Sequence, residues 1–229
     1  MKIVLTFLTL FNCLSLFGQR ILIVDIGNRN RIDVGRALSI ISDHHPKVIG
    51  IDVLYVSDSL QLDTTMTRAI NKLSNVVMSA QLHYFDAPYP FWDSLELPND
   101  KFRTKYIGFS NIYTEDSQTI PEIPIQESYK GKLLPSFSYE VARRSDSRLQ
   151  VLNSTSIKIN KSKIGNHYPT LSLSNILAGK IKTEDIENSI VLFGVSSQEF
   201  NAGKRSNKKI SGVGLQACFI EYLLKNYSN

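Results

Sequence analysis

With 229 residues, of which 42% are hydrophobic and 21% charged, the chain has the composition of a globular protein. Its length allows a core that needs no disulfide or metal, and the composition excludes disordered and fibrous classes. After the first 20 residues no apolar run is long enough to span a bilayer, which excludes a polytopic membrane protein. The net charge of +5 is small and dispersed, so nucleic acid is not an expected partner.

The first 18 residues have the layout of a secretory signal peptide. Lys2 provides a basic start, an apolar stretch follows at residues 3–17, and Gly18 precedes the expected cleavage point. A retained anchor and a first element of the fold are the alternatives. We expect an exported protein, periplasmic or on the outer face of the cytoplasmic membrane. Membrane contact is expected only through this segment if it is uncleaved.

The first part of the mature chain alternates apolar runs with amphipathic segments. Strands are predicted at residues 21–26, 48–55 and 76–82, and helices at 34–42 and 64–74, with Asp33 and Asp63 as their N-caps. This alternation predicts a parallel sheet with helices on its faces. Residues 83–104 contain three prolines and no clean period, so we predict an irregular insertion there.

The second half continues the same class of fold. Further strands are predicted at 106–113, within 114–125, at 149–160 as a strand or hairpin, and at 190–195; helices are predicted at 134–144, from Ser172 or Ser174 to Gly179, and at 212–226. No internal repeat or linker interrupts this order. The prediction is therefore one α/β domain over residues 19–229, with a mixed, mostly parallel sheet flanked by helices.

Two buried-looking strands each carry a carboxylate near their end, Asp25 and Asp52, and Asp63 follows at a helix start. We expect the two strands to be neighbours in the parallel sheet, so that these acids share its carboxyl edge, where ligands bind in open α/β folds. Three interpretations remain open: the acids bind a ligand, they accept hydrogen bonds from loop amides, or they form the metal site of a periplasmic hydrolase. The four histidines show no metal-ligand spacing, and no metal or cofactor is expected.

Three further positions are candidates for ligand contact. Gly194 and Ser196 end the later strand in the sequence GVSSQ, which lacks the second glycine of a serine nucleophile elbow. Gly212 opens the last helix after the basic loop KRSNKK at 204–209, where free helix amides favour an anion. A solvated surface loop explains these basic residues equally well.

The order of these pieces resembles the type-2 CHASE domain, a sensory module associated with cyclases and histidine kinases. The pieces that carry the resemblance are VDI at 24–26, VIGIDVLY at 48–55 followed by Asp63 before a helix, GFSN at 108–111, LPSFSYEVAR at 134–143, IN at 159–160, YPTLSLSNILAG at 168–179, SIVLFGVSS at 189–197 and GVGLQA at 212–217. Asn111, at the end of GFSN, is therefore added to the candidate ligand contacts. The chain departs from the family at Gly214, where a glutamate is usual, and after the VLFG strand, where Glu199 and Asn201 replace an aspartate.

The resemblance implies an extracytoplasmic, non-catalytic sensor of an unknown small ligand. Such domains usually lead into membrane helices and a cytoplasmic output domain, whereas this chain stops at Asn229. We therefore expect it to act through another protein, a membrane signalling partner, with a shift of the last helix as the signal. A partner-binding scaffold without a small ligand and the metal-dependent hydrolase remain the alternatives.

Overall fold

The computed structural model describes residues 20–83, 92–102, 104–112, 122–159, 168–196, 199–201 and 209–228. The strands are β1 (Ile21–Asp25), β2 (Val48–Asp52), β3 (Val76–His83), β4 (Ser94–Glu96), β5 (Tyr106–Phe109), β6 (Glu122–Pro124), β7 (Gln126–Tyr129), β8 (Lys132–Pro135), β9 (Ser156–Lys158), β10 (Thr170–Ser172), β11 (Ile190–Gly194), β12 (Glu199–Asn201) and β13 (Lys209–Ser211). The helices are α1 (Arg31–Ser42), α2 (Leu60–Asn71), α3 (Phe137–Ser145), α4 (Leu173–Leu177), α5 (Thr183–Ile186) and α6 (Gly212–Tyr227). The predicted signal segment lies outside the described residues.

A seven-stranded sheet forms the centre of the domain. Its order is β10, β1, β11, β2, β3 and β4, and β5 also pairs with β3. All of these pairs are parallel except that of β3 with β4. The predicted class, a single α/β domain with a mixed and mostly parallel sheet, is confirmed.

The neighbour relation expected for the first two strands is wrong. β1 and β2 do not pair with each other, because β11 lies between them and pairs in parallel with both. β11 is a short, fully buried apolar strand from the last quarter of the chain. Its insertion is a non-local event that the local pattern of β1, α1 and β2 does not encode.

Helices cover both faces of this sheet. One face packs on α1, α2 and α4, and its core includes Leu22, Val24, Ile51 and Phe193. The other face packs on α3 and α6, and its core includes residues of the opposite parity, such as Ile23 and Leu192. Each strand residue therefore belongs to one of two apolar layers according to its parity, as expected for a sheet buried on both sides. No helix in the described ranges is both long and apolar enough to cross a membrane.

Three predicted helix starts differ from the observed ones. α1 begins at Arg31, with Asn30 rather than Asp33 as its cap; Asn30 Oδ1 accepts a hydrogen bond of 3.0 Å from the Asp33 amide. α2 begins at Leu60, so Asp63 lies in its first turn and is not its cap. The helix predicted from residue 134 begins only at Phe137, because Pro135 is the last residue of β8 and disfavours helical backbone before it.

The segments between the main elements are also more regular than predicted. The described part of the insertion at 83–104 contains β4 and a 3₁₀ turn at Asp100–Phe102, whose Phe102 is buried. β6 pairs with β9 outside the main sheet rather than at its edge. The hairpin of β7 and β8 was not predicted, since its turn at Lys130 and Gly131 takes positive φ angles without the usual asparagine or aspartate.

Candidate functional site

The carboxyl ends of the central strands carry a row of residues on the sheet face covered by α3 and α6. Asp25 of β1 lies beside Gly194 of β11, and Gly194 lies beside Asp52 of β2. Ser79 continues the row on β3, one position beyond the last backbone pair between β2 and β3. Adjacent strands are about 4.8 Å apart, so the backbones of Asp25 and Asp52 are separated by about 10 Å. The two acids share a face of the sheet but do not meet.

Val213 of α6 occupies the space between the two acids. A Cβ atom added at Gly194 would lie 2.6 Å from the Val213 Cβ, so only glycine lets the helix approach this closely. The helix start is fixed by Ser211, whose Oγ accepts a hydrogen bond of 3.1 Å from the Gly214 amide. α6 thus packs directly on Gly194, and the helix lies between Asp25 and Asp52.

Asp25 is held by its own loop and by the loop after β11. Its Oδ1 accepts hydrogen bonds from the amides of Gly27, at 3.1 Å, and Ser196, at 3.2 Å. The Ser196 hydroxyl donates to its Oδ2 at 2.5 Å. Burial alone would raise the pKa of Asp25, but these hydrogen bonds outweigh it and hold the pKa below its usual value. Asp25 and Ser196 therefore join two strand ends.

Asp63 is engaged in a different place. It is buried, its Oδ1 lies 2.6 Å from Arg31 Nη1, and its Oδ2 accepts a hydrogen bond of 2.8 Å from the Ser59 amide. Burial opposes ionisation, yet the hydrogen bonds and the charge of Arg31 lower the pKa of Asp63. The same guanidinium stacks over the rings of Tyr55 and Phe102. Asp63 thus links α1 to α2.

A cavity of about 480 Å³ opens beside Asp52, at the carboxyl end of β2 and β3. Its polar wall consists of Asp52, Ser79, Gln81, Ser110, Asn111 and Gln216, and the rest of its wall of Val53, Leu54, Ile112, Val195, Gly212 and Val213. This volume lies in the range of small-molecule sites. Of the sequence-predicted candidates, Asp52, Asn111 and Gly212 come together here.

The carboxylate of Asp52 makes no hydrogen bond or ion pair with any described residue. Burial raises the pKa of Asp52 to about 7, because the charged form loses hydration and gains no compensating partner from the described part of the chain. Asp52 is nonetheless not sealed, since part of its surface faces the cavity. It therefore contrasts with Asp25, two strands away, whose oxygens are satisfied.

Ser79 provides a second polar group without a partner among the residues that the structure describes. Its side chain is 1% exposed, and its hydroxyl oxygen is buried without a hydrogen bond to the described part of the chain. Buried hydroxyls usually have a partner, so this one is unusual. Ser79 lines the same cavity as Asp52 and lies on the adjacent strand.

Asn111, Gln216 and Ser110 of the polar wall are already engaged in hydrogen bonds within the fold, whereas the Gln81 side chain is exposed. Asn111 pairs with the backbone of Leu82, accepting from its amide at 2.9 Å and donating to its carbonyl at 2.8 Å. Gln216 donates to the Ser110 carbonyl at 3.2 Å and accepts from the Ser138 hydroxyl. Asn111 therefore joins the segment after β5 to β3, and Gln216 joins α6 to that same segment and to α3.

A family model of the CHASE2 domain matches residues 18–229. The chain belongs to the CHASE2 family. CHASE2 domains are extracellular sensory domains of signalling proteins. Comparisons with curated proteins and with solved structures found no match.

The structure separates the acids that the sequence grouped together in this CHASE2 domain. Asp25 pairs with Ser196 and Asp63 with Arg31, whereas Asp52 alone faces the cavity. Among the residues that the structure describes, no three His, Cys, Asp or Glu side chains are grouped to hold a metal ion. The metal site of the hydrolase alternative is therefore not assembled from these three acids.

Sequence reasoning missed Ser79, Gln81 and Gln216 of the CHASE2 cavity. Ser79 and Gln81 share the parity of the buried Val77 on β3, so two polar residues continue a core-facing row. Gln216 is likewise a buried polar residue within an otherwise apolar helix face. A polar side chain on a core-facing position is the signal that would have identified all three. The basic loop considered for anion binding lies almost wholly outside the described residues.

Proposed function

We propose that this chain is an exported, non-catalytic sensory domain that binds a small ligand in the cavity beside Asp52 and acts through a membrane signalling protein. The observation that carries the proposal is the cavity itself. It contains a carboxylate and a buried hydroxyl without partners among the described residues, at the edge of the sheet where α/β folds bind ligands. A bound ligand would supply the missing partners.

The surroundings of the acids support a binding role over the hydrolase alternative. A hydrolytic metal site needs several ligands around one ion. Asp25 and Asp63 are instead occupied by hydrogen bonds and an ion pair within the fold. A single carboxylate in a polar cavity suffices for recognition of a ligand.

The position of α6 suggests how binding would be transmitted. Gly212, Val213 and Gln216 from its first two turns line the cavity, so a ligand there contacts the helix directly. Val213 also packs tightly against Gly194, so a small displacement of Val213 by a ligand would move the start of α6. We propose that ligand binding shifts α6 and that its far end presents this shift to the partner protein.

A thermal-shift screen of small metabolites tests the proposal. Gln81 is an exposed strand residue on the cavity wall, so Gln81→Trp should obstruct the cavity without disturbing the core. Ser128→Trp, at an exposed strand position away from the cavity, is the matched control. We expect ligands that stabilise the wild type and the control but not the Gln81 variant.

Hydrogen exchange then tests the transmission step. A bound ligand should slow exchange of the amides in the first two turns of α6, beyond the hydrogen-bonded cap at Ser211. Equal stabilisation of the Gln81 variant, or unchanged exchange in α6, would contradict the proposal. The scaffold alternative would gain support if no ligand bound while a membrane protein still co-purified with the chain.

A further inference from the structure

The residues that line the cavity beside Asp52 favour some classes of ligand over others. Among its described wall residues Asp52 is the only charged or ionisable side chain, and no lysine, arginine or histidine faces it. The amides of Asn111 and Gln216 are used within the fold. The side chains left for a ligand are therefore two neighbouring acceptors, the Asp52 carboxylate and the Ser79 hydroxyl, together with the exposed amide of Gln81.

These acceptors select among classes of ligand. A carboxylate or phosphate would meet the negative charge of Asp52 with no described cationic side chain to offset it, and the partial positive charge of the α6 start at Gly212 is smaller than the full charge of a carboxylate. A divalent metal would require several oxygen ligands, and the described residues offer no group of three acidic, histidine or cysteine side chains. A protonated amino group carries the opposite charge and three donors, so it satisfies both acceptors at once.

We propose that the Asp52 cavity binds a small organic molecule through a primary ammonium group, which donates hydrogen bonds to the carboxylate of Asp52 and the hydroxyl of Ser79. This inference rests on the proposed ligand-binding function. The body of the molecule lies against the apolar part of the wall, formed by Ile112, Val195 and Val213. Its far end reaches the start of α6.

Proton linkage follows from this arrangement. Burial raises the pKa of Asp52 to about 7, so the free carboxyl is protonated below neutral pH and must lose its proton to pair with an ammonium ion. Asp52 is the only described ionisable group of the cavity wall, so one proton is involved. Affinity for an amine should rise about tenfold per pH unit below pH 7 and level off above it.

The test is an NMR titration of the ¹⁵N-labelled chain with matched series of small molecules. Butylamine, putrescine and phenethylamine are compared with the corresponding alcohols and with butyrate and phenylacetate. We expect at least one amine to shift the amides of Asp52, Ser79 and Gly212, and its alcohol to bind at least tenfold more weakly. Only the affinity for the amine should show the pH dependence described above.

Variants assign the contacts. Asp52→Asn should weaken the amine at least 30-fold, and Ser79→Ala about fivefold, consistent with loss of a charged and a neutral hydrogen bond. Asp25→Asn, in the same row of the sheet, is the control and should leave affinity unchanged. The dispersion of each ¹⁵N spectrum shows directly whether the variant is folded.

The outcomes separate this inference from the function on which it rests. Stronger binding of an alcohol or an acid at these same amides would overturn the ammonium assignment and leave the ligand-binding function intact. Unchanged amine affinity in the Asp52 variant would also overturn it. If no molecule of the three series shifts these amides, the ammonium assignment fails; if no metabolite in the wider screen does so, the proposed function fails as well.

Discussion

The raised pKa of Asp52 predicts an unusual dependence of stability on pH. The folded-state pKa of about 7 lies roughly three units above the ordinary value of 3.8. Each unit corresponds to about 1.4 kcal/mol, so the carboxylate costs the folded state about 4 kcal/mol when fully ionised. Because the folded state holds the proton more tightly, this cost is absent below about pH 4, grows as pH rises and is complete above about pH 7.

Replacing Asp52 with asparagine should remove this cost. The amide has nearly the same shape but no charge, so the variant should match the wild type near pH 4 and exceed its free energy of unfolding by about 3 to 4 kcal/mol at pH 8. Urea unfolding followed by circular dichroism between pH 4 and 8 measures the difference. The experiment is done without ligand, since a bound cation would offset the charge.

The matched control for this variant is Asp25→Asn. Burial opposes ionisation of Asp25, but the hydrogen bonds from Ser196 and Gly27 lower its pKa, so its contribution has the opposite sign. Its stabilisation is present above the unfolded pKa and is lost as pH falls through the folded pKa. The free energy of unfolding of the Asp25→Asn control should be lower than that of the wild type by about 1 to 3 kcal/mol at pH 8. A stability difference for the Asp52 variant that does not change with pH would refute the reasoning.

The other predictions concern packing and pairing. Gly194→Ala should lower the free energy of unfolding by about 1 to 3 kcal/mol, because its Cβ would lie 2.6 Å from the Val213 Cβ and 2.7 Å from its Cγ2. The additional change Val213→Ala removes the Cγ contact but keeps the Cβ, so it should recover only part of the loss in a double-mutant cycle of urea unfolding. Ser79→Ala should leave the free energy of unfolding unchanged or slightly higher, because the hydroxyl has no described partner; a loss above about 1 kcal/mol would show that it has one. Arg31→Ala should cost about 2 to 3 kcal/mol near neutral pH, because the buried Asp63 carboxylate loses its 2.6 Å ion pair but keeps the Ser59 amide and Lys101 Nζ at 4.0 Å, and the loss should shrink when urea unfolding is repeated near pH 4.

Local patterns predicted the elements of the sheet but not their arrangement. The apolar runs of β1, β2, β3 and β11 and the helix begun by Gly212 were all located from periodicity and turn residues. The order of the strands was not accessible, because the pairing of β11 with both β1 and β2 joins segments more than 130 residues apart. Such pairing depends on packing of the whole domain rather than on any short window.

The sequence predicted where the candidate site lies, at the carboxyl edge of the sheet, but only some of the residues that line it. Asp52 was found because a carboxylate ends a buried strand, and the same rule selected Asp25, which has a structural role in the fold. The difference between them is the Ser196 loop, which bonds to Asp25 across 171 positions of sequence. Ser79 was missed because a single serine inside VVMSAQL fits a strand as well as any other small residue.

The central place of β11 has a consequence for how the domain folds. In the main sheet, β1 and β2 are joined only through β11, at residues 190–194. The first half of the chain therefore cannot form a continuous sheet by itself. The loops that must close are long, and topologies of this kind fold slowly, because the entropy of loop closure is lost before the contacts form. During synthesis from the N-terminus, the edges of β1 and β2 that pair with β11 would stay unpaired until the last fifth of the chain is made. Unpaired strand edges promote aggregation.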